Sequence, residues 1–196
     1  GAPAASARRL VASLAARLHV AEVQGQEVPF RVLSGLACAQ AALRSATKSD
    51  GEGSGGDNVL LTAAALRAGE GWPREVAAMT KAAVGLGRLS PKLAEALAAR
   101  LEEDAFAAEL SAHDCAATAH AFATARHGSD SLFDVLCRSF LARATRPLAE
   151  EAGGEDWAEM ADALLLRAGA GQAGPGTPRR ELLEAFQDAV YMPALR

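Results

Sequence analysis

Apolar residues recur along most of this chain every three or four positions, the period of one face of an α-helix. The stretch 113–140, "HDCAATAHAFATARHGSDSLFDVLCRSF", carries the pattern twice. Cys115, Thr118 and Phe122 line one predicted helix, and Leu132, Leu136 and Phe140 line the next. The stretch 74–101, "REVAAMTKAAVGLGRLSPKLAEALAARL", repeats it: Val76 matches Cys115, Met79 Thr118, Ala83 Phe122, Leu93 Leu132 and Leu101 Phe140, always at an offset of 39. "EDWAEMADALLLRAG" opens a later copy, with Trp157 standing 42 beyond Cys115 and Met160 42 beyond Thr118. "FRVLSGLACAQAAL" opens an earlier one, with Leu33 and Leu36 standing 43 before Val76 and Met79. The inserts "SATKSDGEGSGGD" and "AGQAGPGTP" fall between predicted helices, where added length costs little.

The pattern predicts an all-α fold, an α-solenoid of antiparallel helix pairs with about nine helices. A leading half-repeat helix covers 1–21, and helical repeats follow over 28–70, 72–110, 111–148 and 153–196. A pair built on alanine leaves apolar surface on two sides, so neighbouring pairs must cover it. Punctuation agrees. Asp57, Ser90 with Pro91, and Ser129 or Asp130 sit where helix N-caps belong. Gly85 with Gly87, Gly128 and Gly169 sit where the first helices should close. Only 20–33, "VAEVQGQEVPFRVL", alternates like a strand, and Pro29 argues against a central one.

Composition strengthens the helical prediction. The 196 residues fit one medium domain; 48 are alanine and none is isoleucine, which favours helix over sheet. The net charge of −4 gives no global reason for nucleic-acid binding. Its distribution is uneven: residues 1–98 hold 11 Lys/Arg against 8 Asp/Glu, and residues 99–196 hold 9 against 16. An anionic partner would therefore prefer the N-terminal half. Cys38, Cys115 and Cys137 are odd in number and lie in apolar helical patterns, which suits small buried residues in a reduced compartment. The longest uncharged apolar run, "VLSGLACAQAAL", is too short to span a bilayer, so no integral membrane segment is expected. "GAPAASARRLVASLAARLHV" has three arginines and no acid, the make-up of a mitochondrial transit peptide, while Leu10, Leu14 and Leu18 also form a helical stripe.

Candidate chemistry is sparse. His113, His120 and His127 recur every seven residues, and seven residues of helix rise about 10.5 Å, too far for two of them to share one zinc ion. They read as the polar outer face of a helix, in which His113 matches Arg74 and His120 matches Lys81, or as positions of successive repeats touching one ligand. "GAGQAG" (169–174) fits a dinucleotide fingerprint by letter but lacks the strand before it. "DGEGSG" (50–55) starts like a calcium loop, yet its twelfth position is Leu61 in place of glutamate. The acidic run "LEEDAFAAEL" and the cluster "EEAGGED" read as solvated faces and loops. No catalytic residue, cofactor or metal ligand is assigned, and the chain is read as non-enzymatic.

"LSAHDCAATAHAFATARHGSDSLFDVLCRSFLAR" resembles the repeat of organellar helical-repeat proteins of alveolates and algae, the octotricopeptide and heptatricopeptide class that often accompanies a RAP domain. Leu110, Ser111 and Asp114 at the helix start carry the likeness, with Ala116, Ala119, Ala121, Phe122 and Ala123, then Leu132 and Phe133. It is good over 110–143, fair over 72–101 and thin elsewhere. Unequal unit lengths and the acidic C-terminal half depart from the class. The resemblance implies a mitochondrial or plastid location and work on organellar RNA, as a subunit of a ribonucleoprotein such as the mitochondrial ribosome. On that reading Arg74, Lys81, Arg88, Lys92, His120 and Arg126 are the RNA-contact candidates, and neighbouring protein subunits are the other partners. The alternative is a protein–protein scaffold, or an accessory subunit of an organellar membrane complex, without RNA contact.

Overall fold

The computed structural model describes residues 2–47, 55–144, 152–168 and 178–186. The protein is all-α, with no strand among these residues. Ten α-helices follow in order: α1 (Ala2–Val23), α2 (Phe30–Thr47), α3 (Gly55–Leu66), α4 (Pro73–Gly85), α5 (Pro91–Leu101), α6 (Asp104–Ala107), α7 (Ala112–Thr124), α8 (Asp130–Ala144), α9 (Gly154–Ala168) and α10 (Pro178–Phe186). A single 3₁₀ turn, Ala68–Glu70, leads into α4. The strand-like stretch 20–33 is instead the end of α1, a turn through Gly25 and the start of α2. "GAGQAG" and most of "DGEGSG" lie outside the described residues, as does Gly169.

The 39-residue repeat is written in the backbone as well as in the letters. At the end of α4, Leu86 N–H donates to Ala82 O, Gly87 N–H to Val84 O and Arg88 N–H to Ala83 O. At the end of α7, Ala125 donates to Ala121, Arg126 to Ala123 and His127 to Phe122, the same three bonds moved by 39. Both helices close in a Schellman turn that needs a left-handed residue. Gly87 supplies it at φ 65°, and Arg126 supplies it at φ 57°. The closing residue of α7 is therefore Arg126 and not Gly128, and in α4 Gly85 is the last helical residue and not the closing one. Gly128, at φ 91°, serves a different need: a Cβ there would stand 3.0 Å from Leu132 and 3.2 Å from Phe133.

Helix starts repeat too. Ser90 Oγ accepts from Leu93 N–H at 3.3 Å and Ser129 Oγ from Leu132 N–H at 3.0 Å. Ser111 Oγ accepts from Asp114 N–H at 3.0 Å, and Trp72 N–H donates to Glu75 at 3.0 Å. Burial follows the same register. Val76, Met79, Ala83, Leu93, Leu97 and Leu101 are fully buried, and so are Cys115, Thr118, Phe122, Leu132, Leu136 and Phe140. Thr118 thus puts a hydroxyl in a seat where its counterpart is Met79, and its Oγ1 has no hydrogen-bond partner among the described residues.

The chain divides into two compact units, Gly1–Leu97 and Ala98–Arg196, with the boundary inside α5 and inside the repeat 72–110. A chain in which each helix meets its near neighbours has no single closed core, so a medium-length chain can divide in this way. In the first unit α2 packs on α4 and on α3, while α1 packs on α2 and α3. In the second, α7 packs on α9 and on α8, and α10 packs on α8 and α9. First helices thus lie side by side, α2 beside α4 and α7 beside α9, and in the second unit the second helices α8 and α10 do so too. α6 also packs on α8 and buries Phe106 and Ala107, so the run "LEEDAFAAEL" is not simply a solvated face. The Arg100 guanidinium lies 4.2 Å over the Phe106 ring.

Candidate interaction surfaces

In Gly1–Leu97, helix α2 is stitched to α4 by donors that reach backbone carbonyls. Ser34 Oγ donates to Glu75 O at 3.0 Å, Cys38 Sγ to Ala78 O at 3.6 Å, and Arg44 to Leu86 O. Arg67 spans to Val28 O at 2.9 Å. Such bonds use neutral backbone carbonyls and place no charge opposite another. Burial pushes the Cys38 thiol above its ordinary range, against a lowering by its hydrogen bond with Ser34 and by the Lys81 charge.

Of the sequence-assigned RNA-contact residues, Arg74, Lys81, Arg88 and Lys92 lie in this unit. Arg74 and Lys81 stand exposed on α4, Lys92 stands exposed at the start of α5, and Arg88 is half-buried between those helices. Among the described residues, Arg74, Lys81 and Lys92 have no ion-pair partner. They are cations on a carbonyl-stitched helix layer, open to whatever anion arrives.

His120 and Arg126 lie in the other unit and meet different surroundings. The His120 ring stands 3.1 Å from Asp162 and 3.8 Å from Glu159, both on α9. His113 Nδ1 stands 2.8 Å from Asp156 Oδ1. His120 thus already faces carboxylates, whereas Arg126 is exposed at the turn after α7. The face of α7 that reads as polar and outward is the seam with α9. Its partners stand about one repeat away in the sequence, 43 residues for His113–Asp156 and 42 for His120–Asp162.

That seam also gathers donor atoms from two helices. His113, Asp156 and Glu159 bring a nitrogen and two carboxylate oxygens within 4.8 Å of one another, a set that sequence spacing along α7 alone does not reveal. Nitrogen and carboxylate oxygen together are a zinc-type donor set. Here the atoms are engaged: Asp156 Oδ1 with the imidazole, and Asp156 Oδ2 accepting from Gly153 N–H at 2.9 Å as the cap of α9. Several arginines of the unit are engaged as well. Arg179 binds Asp134 at 2.8 Å and Asp130 at 3.2 Å, Arg167 binds Asp130 at 3.4 Å, and Arg138 binds Asp104 at 3.2 Å. Burial works against the Arg179 charge, but Asp134 and Asp130 outweigh it and hold the guanidinium above its ordinary pKa.

All three cysteines are free thiols. Cys115 and Cys137 are fully buried, and burial pushes each up to about 12, so neither offers a thiolate nucleophile near neutral pH.

Apolar groups are exposed in both units: Leu10, Leu14, Val20 and Val32 in the first, Leu165, Leu166 and Leu183 in the second. The stripe Leu10–Leu14–Leu18 is therefore not a core face, since Leu10 is 62% and Leu14 44% exposed. No described helix is long and apolar enough to cross a membrane. No protein-family model, curated protein or solved structure matches the chain.

Proposed function

We propose that the chain is a non-enzymatic helical-repeat subunit of an organellar ribonucleoprotein, mitochondrial in location and of the mitoribosome kind. Apolar edges dock neighbouring proteins, and α4 with the start of α5 touches RNA. One observation carries this reading: Arg74, Lys81 and Lys92 are exposed and without an ion-pair partner among the described residues, on the unit whose inter-helix bonds use neutral acceptors. Such cations neutralise phosphates and make binding fall with salt. Lys81→Glu combined with Lys92→Glu should weaken binding of a mixed-sequence single-stranded RNA at least tenfold. It should also flatten the salt dependence by about 0.7 for each phosphate no longer neutralised. Filter binding across a salt series measures both, and unchanged RNA affinity would remove the RNA half of the reading.

A second reading, a protein scaffold without RNA contact, is favoured by the other unit. There His120 faces Glu159 and Asp162, and Leu165 and Leu166 stand exposed on α9. If neither the parent chain nor the double variant binds RNA, this second reading stands.

A further inference from the structure

Asp156, Glu159 and Asp162 follow one another along α9 at intervals of three residues, so each is a surface neighbour of the next. Elsewhere in the same unit Asp104, Asp130 and Asp134 each meet an arginine. Among the described residues no Lys or Arg pairs with the α9 row, and what faces it is His113 and His120 of α7. On α7 the two histidines flank Ala116 and Ala117, both buried, on one face of the helix. Small side chains there let α9 lie close.

Three of these side chains do more than offset charge. His113, Asp156 and Glu159 converge from two helices of one unit, each with one donor atom, and the three atoms lie within 4.8 Å of one another. Zinc bonds of about 2.0–2.1 Å at tetrahedral angles set donor atoms about 3.3 Å apart. Rotation of His113, 58% exposed, and of the half-buried Glu159 brings the set to that spacing around Asp156, 13% exposed. Asp156 is the fixed member. Its Oδ2 accepts from Gly153 N–H at 2.9 Å, which leaves Oδ1 beside the imidazole. A ligating carboxylate held by such a donor is the outer support that metal sites use. Asp114 is bound by the Ser111 hydroxyl at 2.7 Å and stays out of the set. His120 meets Asp162 through Nε2 and Glu159 through Nδ1, two nitrogens that no single ion bridges.

We propose that His113, Asp156 and Glu159 bind a divalent transition-metal ion of the zinc class, which ties α7 to α9 and keeps a coordination position for water. One imidazole nitrogen with two carboxylate oxygens favours such an ion over calcium or magnesium, which take sets of oxygens. On binding, the ion replaces the hydrogen bond between His113 Nδ1 and Asp156 Oδ1. The neutral imidazole then carries its hydrogen on Nε2 and offers Nδ1 to the ion. Two carboxylates balance the double charge. The inference goes beyond the proposed function and is independent of RNA contact.

The test uses the full chain, stripped with a chelator and dialysed, with zinc chloride as the ligand. Isothermal titration at neutral pH should show saturable binding of one ion per chain. Cobalt(II) in its place should develop the strong visible absorption of a four- or five-coordinate ion, which hexaaquo cobalt lacks. His113→Ala and Glu159→Gln should each weaken zinc binding at least about tenfold and remove the cobalt band. Both side chains reach solvent, so circular dichroism should show unchanged helix content. His120→Ala should not weaken zinc binding. Zinc should raise the melting temperature of the parent chain and leave that of His113→Ala where it was. Absence of saturable binding overturns the proposal. So does zinc binding that survives both ligand variants, or that His120→Ala removes, because the ion then lies elsewhere. Calcium binding as tight as that of zinc overturns it too, since an acidic surface alone accounts for both.

Discussion

Gly1–Leu97 and Ala98–Arg196 each lay one first helix on another, with different adhesives. Along α2 and α4 the polar ties are Ser34, Cys38 and Arg44 reaching carbonyls. Along α7 and α9 they are imidazoles against carboxylates, His113 on Asp156 and His120 on Asp162, supported by arginine–aspartate pairs from α8 to α9 and α10. The apolar ties differ as well. The first unit buries Leu33, Leu36, Val76 and Met79 on α2 and α4, with Phe30 and Val76 both beside Gly71. The second adds an aromatic stack in which Phe140 meets Trp157 edge-on at 4.9 Å and Trp157 meets Phe186 at 6.4 Å. A seam closed by opposite charges leaves few charges for an outside partner. A seam closed through carbonyls leaves its lysines free, and that contrast decides which unit is the better candidate for an anion.

The largest effect expected is at the aromatic stack. Trp157→Ala should cost about 3–5 kcal/mol, because the indole packing disappears and a cavity opens beside Phe140. Chemical denaturation followed by circular dichroism measures it, and a loss below about 1 kcal/mol would mean that the stack does not hold the second unit. The corresponding probe of the first unit is Gly71→Ala. A Cβ there would meet Phe30 at 2.6 Å and Val76 at 2.9 Å, so the substitution should cost about 1–3 kcal/mol by overpacking. The same denaturation assay should detect it, and a neutral result would show that Phe30 can turn aside.

A smaller effect separates the two adhesives directly. Asp134→Asn removes the closest partner of the mostly buried Arg179 and should cost about 1–2 kcal/mol, reduced from the fully buried case by solvent. Raising ionic strength from about 0.05 to about 1 M should shrink that difference, because a partly exposed pair is screened. Backbone-amide exchange in α2 and α4 should respond less to salt than exchange in α7 and α9; equal responses would erase the distinction.

A further contrast lies at high pH. Folded Cys115 and Cys137 are held up to about 12, from the ordinary 9.0 of an unfolded thiol. Above pH 9 the unfolded state loses protons that the folded state keeps, so stability of the second unit falls as pH rises from 9 toward 12. At pH 8 the half-buried Cys38 should be alkylated before either of the others, read by peptide mass mapping. Earlier labelling of Cys115 would contradict its burial.

Much of the fold was legible in the letters. The helical state, serine caps at Ser90 and Ser129, and the matched burial of Val76 with Cys115 all follow from local periodicity. The failures share a cause. Phe106 lies in an acidic run, and only the packing of α6 on α8 and its contact with Arg100 show why it is buried. Leu10 and Leu14 keep perfect spacing on a face that nothing described covers. His120 matched Lys81 in register, but one faces carboxylates and the other faces outward.

Sequence alone determined the helical state and the buried side of α4, α5, α7 and α8, because capping and periodicity act within a few residues along one helix. The tertiary structure alone decided which polar faces meet: Asp156 against His113, Asp134 against Arg179, and Val32 with Gly35 against open space. Those outcomes depend on the rotation and axial register of one helix upon another, and residues some forty positions apart carry no local signal of either.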